Sequence, residues 1–203
     1  MIDLLLVYPP YLAKYKNPPL GLAYIGAMAE AKGMTVQLID MDPHGVDYND
    51  LESMIRELKP SALGISFMTN MFSAARKVSS IAKQVDPDMP VIMGGNHASG
   101  LPDELLQINA ADYVVFGEGE RTIVEFMEQI SKDSPDYSSV KGLAYKDGDE
   151  IIKNAPRELI DDLDSIPFPI WNQLPYEKYS DMVLGTGEER PAFSIMSTRG
   201  CPA

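Results

Sequence analysis

The residues that could meet a ligand stand in short clusters directly after apolar runs, and none of the clusters is an acid–base or nucleophile set. Ser66 is followed by Phe67, Met68 and Thr69. Gly94-Gly95 precedes Asn96 and His97, and Gly117-Glu118-Gly119-Glu120 opens a helical pattern. Paired glycines let a ligand approach the main chain closely. Together with Ser66 they describe a cleft lined by backbone and small side chains. Such a cleft suits a large flat ligand, or its nucleotide tail, better than proton transfer. Taken singly, Gly94-Gly95 and Gly117-x-Gly119 also read as tight strand-to-helix turns. No Ser-His-Asp arrangement and no carboxylate dyad accompanies them.

Three familiar chemistries are disfavoured on the same residues. Tyr8-Pro9-Pro10-Tyr11 follows the first apolar run, and proline has no N–H to offer a flavin phosphate. A phosphoacceptor domain wants an aspartate where Ser66 stands. Gly117-x-Gly119-x-x-Thr122 lacks the third glycine of a dinucleotide fingerprint, follows the fifth run rather than the first, and carries two acids where pyrophosphate would lie. Of the two histidines, His97 follows the glycine pair and faces the expected cleft, either as a ligand contact or as a solvated loop residue. Asp42-Pro43-His44 begins like the Asp-x-His-x-x-Gly motif that supplies a lower cobalt ligand in some cobalamin proteins. Position 47 is Asp47, not glycine, and the segment follows the second run, so His44 reads as a surface loop residue.

The elements that would position these clusters alternate regularly. Apolar runs at Leu4 to Val7, Thr35 to Ile39, Ala62 to Phe67, Val91 to Met93 and Tyr113 to Phe116 show little polar alternation, as strands buried on both faces do. Between them lie helical spacings, such as Leu51, Ile55 and Leu58, or Ala74, Val78, Ile81 and Val85. A shorter helix is expected near Pro102 to Ile108, and Ile123, Met127 and Ile130 predict the last one. Right-handed β-α crossovers make this a doubly wound α/β fold, a five-stranded parallel sheet in the flavodoxin-like order 2-1-3-4-5. Ligands bind such sheets outside the strand carboxyl ends, which is where the clusters stand. After Ser131 the pattern changes. Gly142 to Lys153 predicts a small β-hairpin with Asp147-Gly148 in its turn, and residues 154–192 read as a Pro-rich connector without long regular elements. Phe193 to Met196 predicts a further strand.

Bulk properties narrow the partners. Seventeen basic against 30 acidic residues give a formal charge of −13, which repels nucleic acid and anionic lipid. One cysteine, Cys201, cannot form an internal disulfide. The first residues carry no basic region, Asp3 interrupts their apolar run, and no apolar stretch reaches the roughly 18 residues of a membrane span. The cytoplasm is the expected compartment, with neither nucleic acid nor membrane as partner.

Tyr8-Pro9-Pro10, Pro18-Pro19-Leu20-Gly21-Leu22, the exit Gly117-Glu118-Gly119-Glu120 and the closing Ser197-Thr198-Arg199-Gly200-Cys201-Pro202 jointly resemble the N-terminal half of cobalamin-dependent radical S-adenosylmethionine proteins. The resemblance implies a cobalamin-binding domain over 1–131, a hairpin and connector over 132–192, and the opening of a radical domain over 193–203. It implies that Ser66, Met68 and Thr69 border the cofactor, that Gly94 and Gly95 let the dimethylbenzimidazole tail pass, and that Gly117, Glu118 and Gly119 cap the other side. Cys201 would be the first thiolate of a C-x3-C-x2-C site for a 4Fe-4S cluster that works with S-adenosylmethionine; otherwise it is an ordinary buried thiol. The other two cysteines are absent, so the resemblance implies a truncated chain that is inactive without its C-terminal radical domain. Methyl transfer and an oxidative ring closure are both chemistries of such parents. Bulky Met68, Met71 and Phe72 beside the expected cleft leave a second reading: a non-catalytic α/β binding or assembly module that no longer holds cobalamin.

Overall fold

Leu4, Leu5, Leu6 and Val7 are each at most 1% exposed, which a strand achieves only when both sheet faces are covered. In the computed structural model, which describes residues 1–12, 16–182, 189–191 and 195–200, they form β1 (Leu4–Tyr8). Leu5 and Val7 enter one core and Leu4 and Leu6 the other, the two-residue alternation of a strand. β1 pairs in parallel with β2 (Val36–Asp40) and with β3 (Ala62–Ser66). β4 (Val91–Gly94) and β5 (Tyr113–Val115) extend the parallel sheet beyond β3. The order is 2-1-3-4-5, as the sequence predicts.

Helices cover both faces. On one lie α1 (Leu20–Ala31) and, out of sequence order, the last helix of the domain, spanning Glu120–Ile130. On the other lie the helices of the central crossovers. The first of these follows a short turn of helix, α2 (Met41–His44). It is α3 (Tyr48–Leu58), started by a capping box in which Asp47 accepts from the Asp50 N–H and Asp50 accepts from the Asp47 N–H. α4 (Phe72–Val85) packs beside it through Ala75, Val78 and Ala82. The expected helix near Pro102 is α6 (Pro102–Gln107), preceded by the unforeseen α5 (Asn96–Gly100). The helix at Glu120–Ile130 is then α7.

The hairpin does not stand apart. β6 (Leu143–Asp147) pairs antiparallel with β5, and β7 (Glu150–Lys153) with β6, giving seven strands in one sheet. Asp147 pairs with Glu150, so the turn residues are Gly148 and Asp149, one position later than expected. Gly148, at φ +60, takes the first central position, where a type II′ turn wants glycine.

The connector contains only three-residue turns of 3-10 helix, at Leu163–Ser165, Trp171–Gln173 and Tyr176–Lys178, before a two-stranded ribbon, β8 (Ser180–Met182) with β9 (Glu189–Pro191). It is nonetheless well docked. Ile170 sits against Gly26 of α1, where a Cβ would fall 2.3 Å from the Ile170 Cδ1, and its N–H donates to the Ala23 carbonyl at 3.2 Å. Of the strand expected at Phe193 to Met196, residues 193 and 194 lie outside the described residues, and Ile195 and Met196 are irregular. Among the described residues no helix is long and apolar enough to cross a membrane.

Candidate functional site

A cavity of about 450 Å³ opens at the carboxyl ends of β1, β3, β4 and β5, on the α1/α7 side of the sheet. Each wall follows from where the strand alternation points. Leu6, Gly64, Ile92 and Val115 face α1 and α7 and make the floor. Leu22 and Ile25 of α1 and Ile123 of α7 make the apolar sides. The rim comes from the turns after the strands: Ser66, Gly94, Gly95 and the stretch Gly117 to Glu120. Met196, Thr198, Arg199 and Gly200 lie along its outer side.

The glycines serve different ends. Gly95 has φ +92, and a Cβ there would fall 2.8 Å from both the Phe67 carbonyl oxygen and Ser66 Oγ. Glycine is therefore required by the backbone at that position. Gly21, in the first turn of α1, has nothing within 4 Å of the place a Cβ would take, and it lines the cavity. A side chain there would occupy the opening and strain nothing.

The cleft clusters separate on folding. Ser66, Gly94, Gly95, Gly117, Glu118 and Gly119 line the cavity. Met68, Thr69 and His97 do not. Phe67 turns into the α3/α4-side core and takes its neighbours with it. His97 is buried rather than solvated, its ring 5.3 Å from those of Phe67 and Phe72 and its Nδ1 hydrogen-bonded to Thr69 Oγ1 at 3.1 Å. Met71 is core and Phe72 stacks on Phe67, so neither crowds the cavity. Met68 stays 42% exposed above the β3 end. Cys201 lies outside the described residues. Among the described residues no group of three His, Cys, Asp or Glu side chains could hold a metal ion.

The acids of the β5–α7 turn are held in place. Glu118 accepts from the Ile160 N–H at 2.7 Å and from Arg199 at 3.1 Å. Glu120, 5% exposed, accepts from the second guanidinium nitrogen of Arg199. The Gly117 N–H donates to Ser99 Oγ at 3.1 Å, tying the turn to α5.

A second polar cluster lies at the carboxyl end of β2. Asp40 is fully buried and accepts from the Tyr179 hydroxyl at 3.0 Å, while its other oxygen has no partner among the described residues. Burial pushes its carboxyl up to about 7 and Asp42 adds to this, against the Tyr179 hydrogen bond and Lys16, which pull it down. Burial likewise raises Tyr8 to about 12, with Tyr11 and Asp40 adding to it. His44 is half-buried, not a surface loop residue. The tautomer that satisfies both ring nitrogens accepts from the Asp40 N–H at 3.0 Å and donates from Nε2 to the Gln173 carbonyl at 3.1 Å. It fastens the connector.

Sequence reasoning missed Gly21, Leu22 and Ile25 as cavity residues, although Pro18 to Leu22 was among the motifs that stood out. Helical spacing identifies an apolar face without saying whether that face meets core or cavity. Asp40 had a readable signal, an acid closing an apolar strand.

A model of the B12 binding domain family matches residues 12–127. The chain is 32% identical over 209 residues to an uncharacterized methyltransferase, PH0819, of Pyrococcus horikoshii, covering all of this chain and 44% of that protein. It is 32% identical over 189 residues to the anaerobic magnesium-protoporphyrin IX monomethyl ester cyclase of Cereibacter sphaeroides, covering 91% of this chain and 30% of that one. Among solved structures, the radical S-adenosylmethionine methyltransferase TsrM from Kitasatospora setae, with cobalamin and a [4Fe-4S] cluster bound, superposes with TM-score 0.68 at 21% identity, covering 83% of this chain and 31% of that one. OxsB, with aqua-cobalamin and S-adenosylmethionine bound, gives TM-score 0.71 at 18% identity over 83% of this chain and 24% of that one. The chain thus spans less than half of each of these relatives. Because the family match runs over more than half of its residues and the strand order and cleft agree with it, this chain belongs to the B12 binding domain family.

Proposed function

We propose that the cavity holds the nucleotide tail of cobalamin, and that the chain is the cofactor-holding part of a radical S-adenosylmethionine enzyme. The observation that carries this reading is the cavity itself. It is mostly apolar, lies at the strand carboxyl ends of a family domain, and keeps open space at Gly21 where a side chain would stand. A flat heterocycle is bound by such walls through contact area, with the sugar and phosphate directed to the rim. Gly94 and Gly117 to Gly119 present main chain there, and Ser66 a hydroxyl. Met68, Thr69 and His97 would then meet the corrin side or support the turn beneath it, not the tail. The cobalt of the bound cofactor would supply the methyl-transfer or redox chemistry, and this chain's residues bind and orient it.

The division of labour follows the sequence: 1–131 holds the cofactor, 132–192 connects, and 193–203 leads into a radical domain in which Cys201 is a cluster thiolate. Support comes from the activities for which those relatives are named, methyl transfer and an anaerobic ring closure, and from the share of those longer proteins that this chain spans. The parent's substrate, and the choice between the two chemistries, lie with residues of that further domain. We place the protein in the cytoplasm, where a single cysteine forms no structural disulfide.

Titration with hydroxocobalamin, followed in the visible spectrum, tests the reading. Saturable binding is expected, and Gly21→Leu should weaken it by roughly tenfold or more by filling the opening. No spectral change up to high micromolar cofactor overturns the reading.

A further inference from the structure

Ser197 to Gly200 crosses the outer side of the cavity without regular secondary structure, and Arg199 is its fastening. The guanidinium donates through one terminal nitrogen to Glu118, at 3.1 Å, and through the other to Glu120. Its central carbon lies 5.5 Å from the Tyr24 ring of α1, a cation–π distance. One side chain therefore touches both walls of the cavity, the β5–α7 turn and α1. Ile195, just before it, is 92% exposed, and Ser197, Thr198 and Gly200 are exposed as well. Glu120 is 5% exposed, and a buried carboxylate left without its cation is strongly unfavourable, so the attachment is specific as well as charged.

We propose that Arg199 is a positioning residue. It pins the segment that leads into Cys201 across the mouth of the cofactor cleft, so that the closing of the cleft and the course of the chain toward the radical domain are set by the same two carboxylates. The pin itself stands on the contacts above; only the identity of what lies behind it rests on the cobalamin reading.

Backbone order parameters of residues 196–200, from nitrogen-15 relaxation on the whole chain, separate the two. Arg199→Gln should lower them from near the rigid value of about 0.85 to below about 0.6, while those of β3 and α4 stay unchanged. Arg199→Lys, which keeps the charge but loses the two-nitrogen fork, should fall between. Hydroxocobalamin should leave Arg199→Gln roughly tenfold faster than wild type, read by spectral decay after dilution. Unchanged order parameters at 196–200 in Arg199→Gln overturn the proposal, as does a uniform fall across the chain or a dissociation rate equal to wild type's. If wild type binds no hydroxocobalamin, the cobalamin reading fails and the order parameters alone decide whether the pin exists.

Discussion

The two halves of the sheet's carboxyl edge end differently. Over β3, β4 and β5 the strand ends open into a cavity, because Ser66, Gly94, Gly95 and the turn from Gly117 to Gly119 stand there, with Leu6 of β1 in its floor. Over β2 the same edge is sealed. Asp40, Tyr179 and His44 fill it, and Gln173, more than 130 residues away in sequence, covers the lateral edge of the same strand. The Gln173 side chain accepts from the Leu38 N–H at 2.7 Å and donates to the Val36 carbonyl at 3.0 Å. It stands in for a neighbouring strand at an edge that would otherwise invite pairing with another chain. The open half is made by missing side chains, and the closed half by a late segment returning to cover an edge. The first is a local property of the sequence; the second is not.

The largest test of this contrast is Gly95→Val. Its Cβ would meet main chain at 2.8 Å, and φ +92 strains any branched residue. Loss of about 3 kcal/mol or more of stability is expected, measured by urea unfolding. Tolerance within about 1 kcal/mol would show that Gly95 is there for space, like Gly21, and would erase the distinction drawn between them.

In the closed half, the burial of the Asp40 carboxyl makes stability depend on pH. The carboxyl titrates near 7 in the folded protein and from an ordinary 3.8 when unfolded. Between those values the folded state holds a proton that the unfolded state has lost. Unfolding free energy therefore falls as pH rises through that window and levels off above it. A loss of about 2 kcal/mol between about pH 5 and pH 8 is expected. Asp40→Asn keeps an acceptor for the Tyr179 hydroxyl and cannot ionise, so its profile should be much flatter. Urea unfolding followed by Trp171 fluorescence at several pH values checks both. Equal slopes in the two proteins would mean that the carboxyl is not the group responsible.

The difference between the halves also explains what the sequence reveals. The five strands are legible because Leu4 to Val7 and its counterparts are short, predominantly apolar runs with little polar alternation, as two-sided burial requires. Ser66, Gly94 and Gly117 to Gly119 are legible as a set because one topology brings every strand end to one edge. Met68, Thr69 and His97 are adjacent to that set in sequence but leave it in space, because Phe67 turns toward α4 and linear proximity does not record the turn. Gln173 and Tyr179 are illegible for a further reason. Their partners are single hydrogen-bonding groups on β2, and no spacing in a Pro-rich connector encodes which distant backbone amide a glutamine will reach.

Gln173→Ala puts a size on that illegible part. It removes the hydrogen bonds to Leu38, Val36 and Glu30 and reopens part of the β2 edge to water, which then satisfies the freed groups. A loss of about 1–2 kcal/mol is expected from urea unfolding. A loss near zero would mean that the connector is held without this side chain, by contacts such as Ile170, Tyr179 and the His44 bond to the Gln173 carbonyl.

The smallest expected effect is the most discriminating, because its two parts have opposite signs. Gly21→Ala places a methyl group where nothing stands within 4 Å, at the second residue of α1. Alanine is the better helix former, by up to about 1 kcal/mol in a helix interior and less in a first turn. Stability should therefore rise by about 0.5 kcal/mol. The same methyl narrows the opening through which a planar base would enter, so affinity for hydroxocobalamin should fall a few-fold. A pure scaffold would show the gain without the loss, since nothing would need the space. A glycine kept for backbone reasons would show a loss of stability instead. Only a cleft held open for a ligand predicts a more stable protein that binds less well, and paired urea and cofactor titrations of this one variant decide among the three.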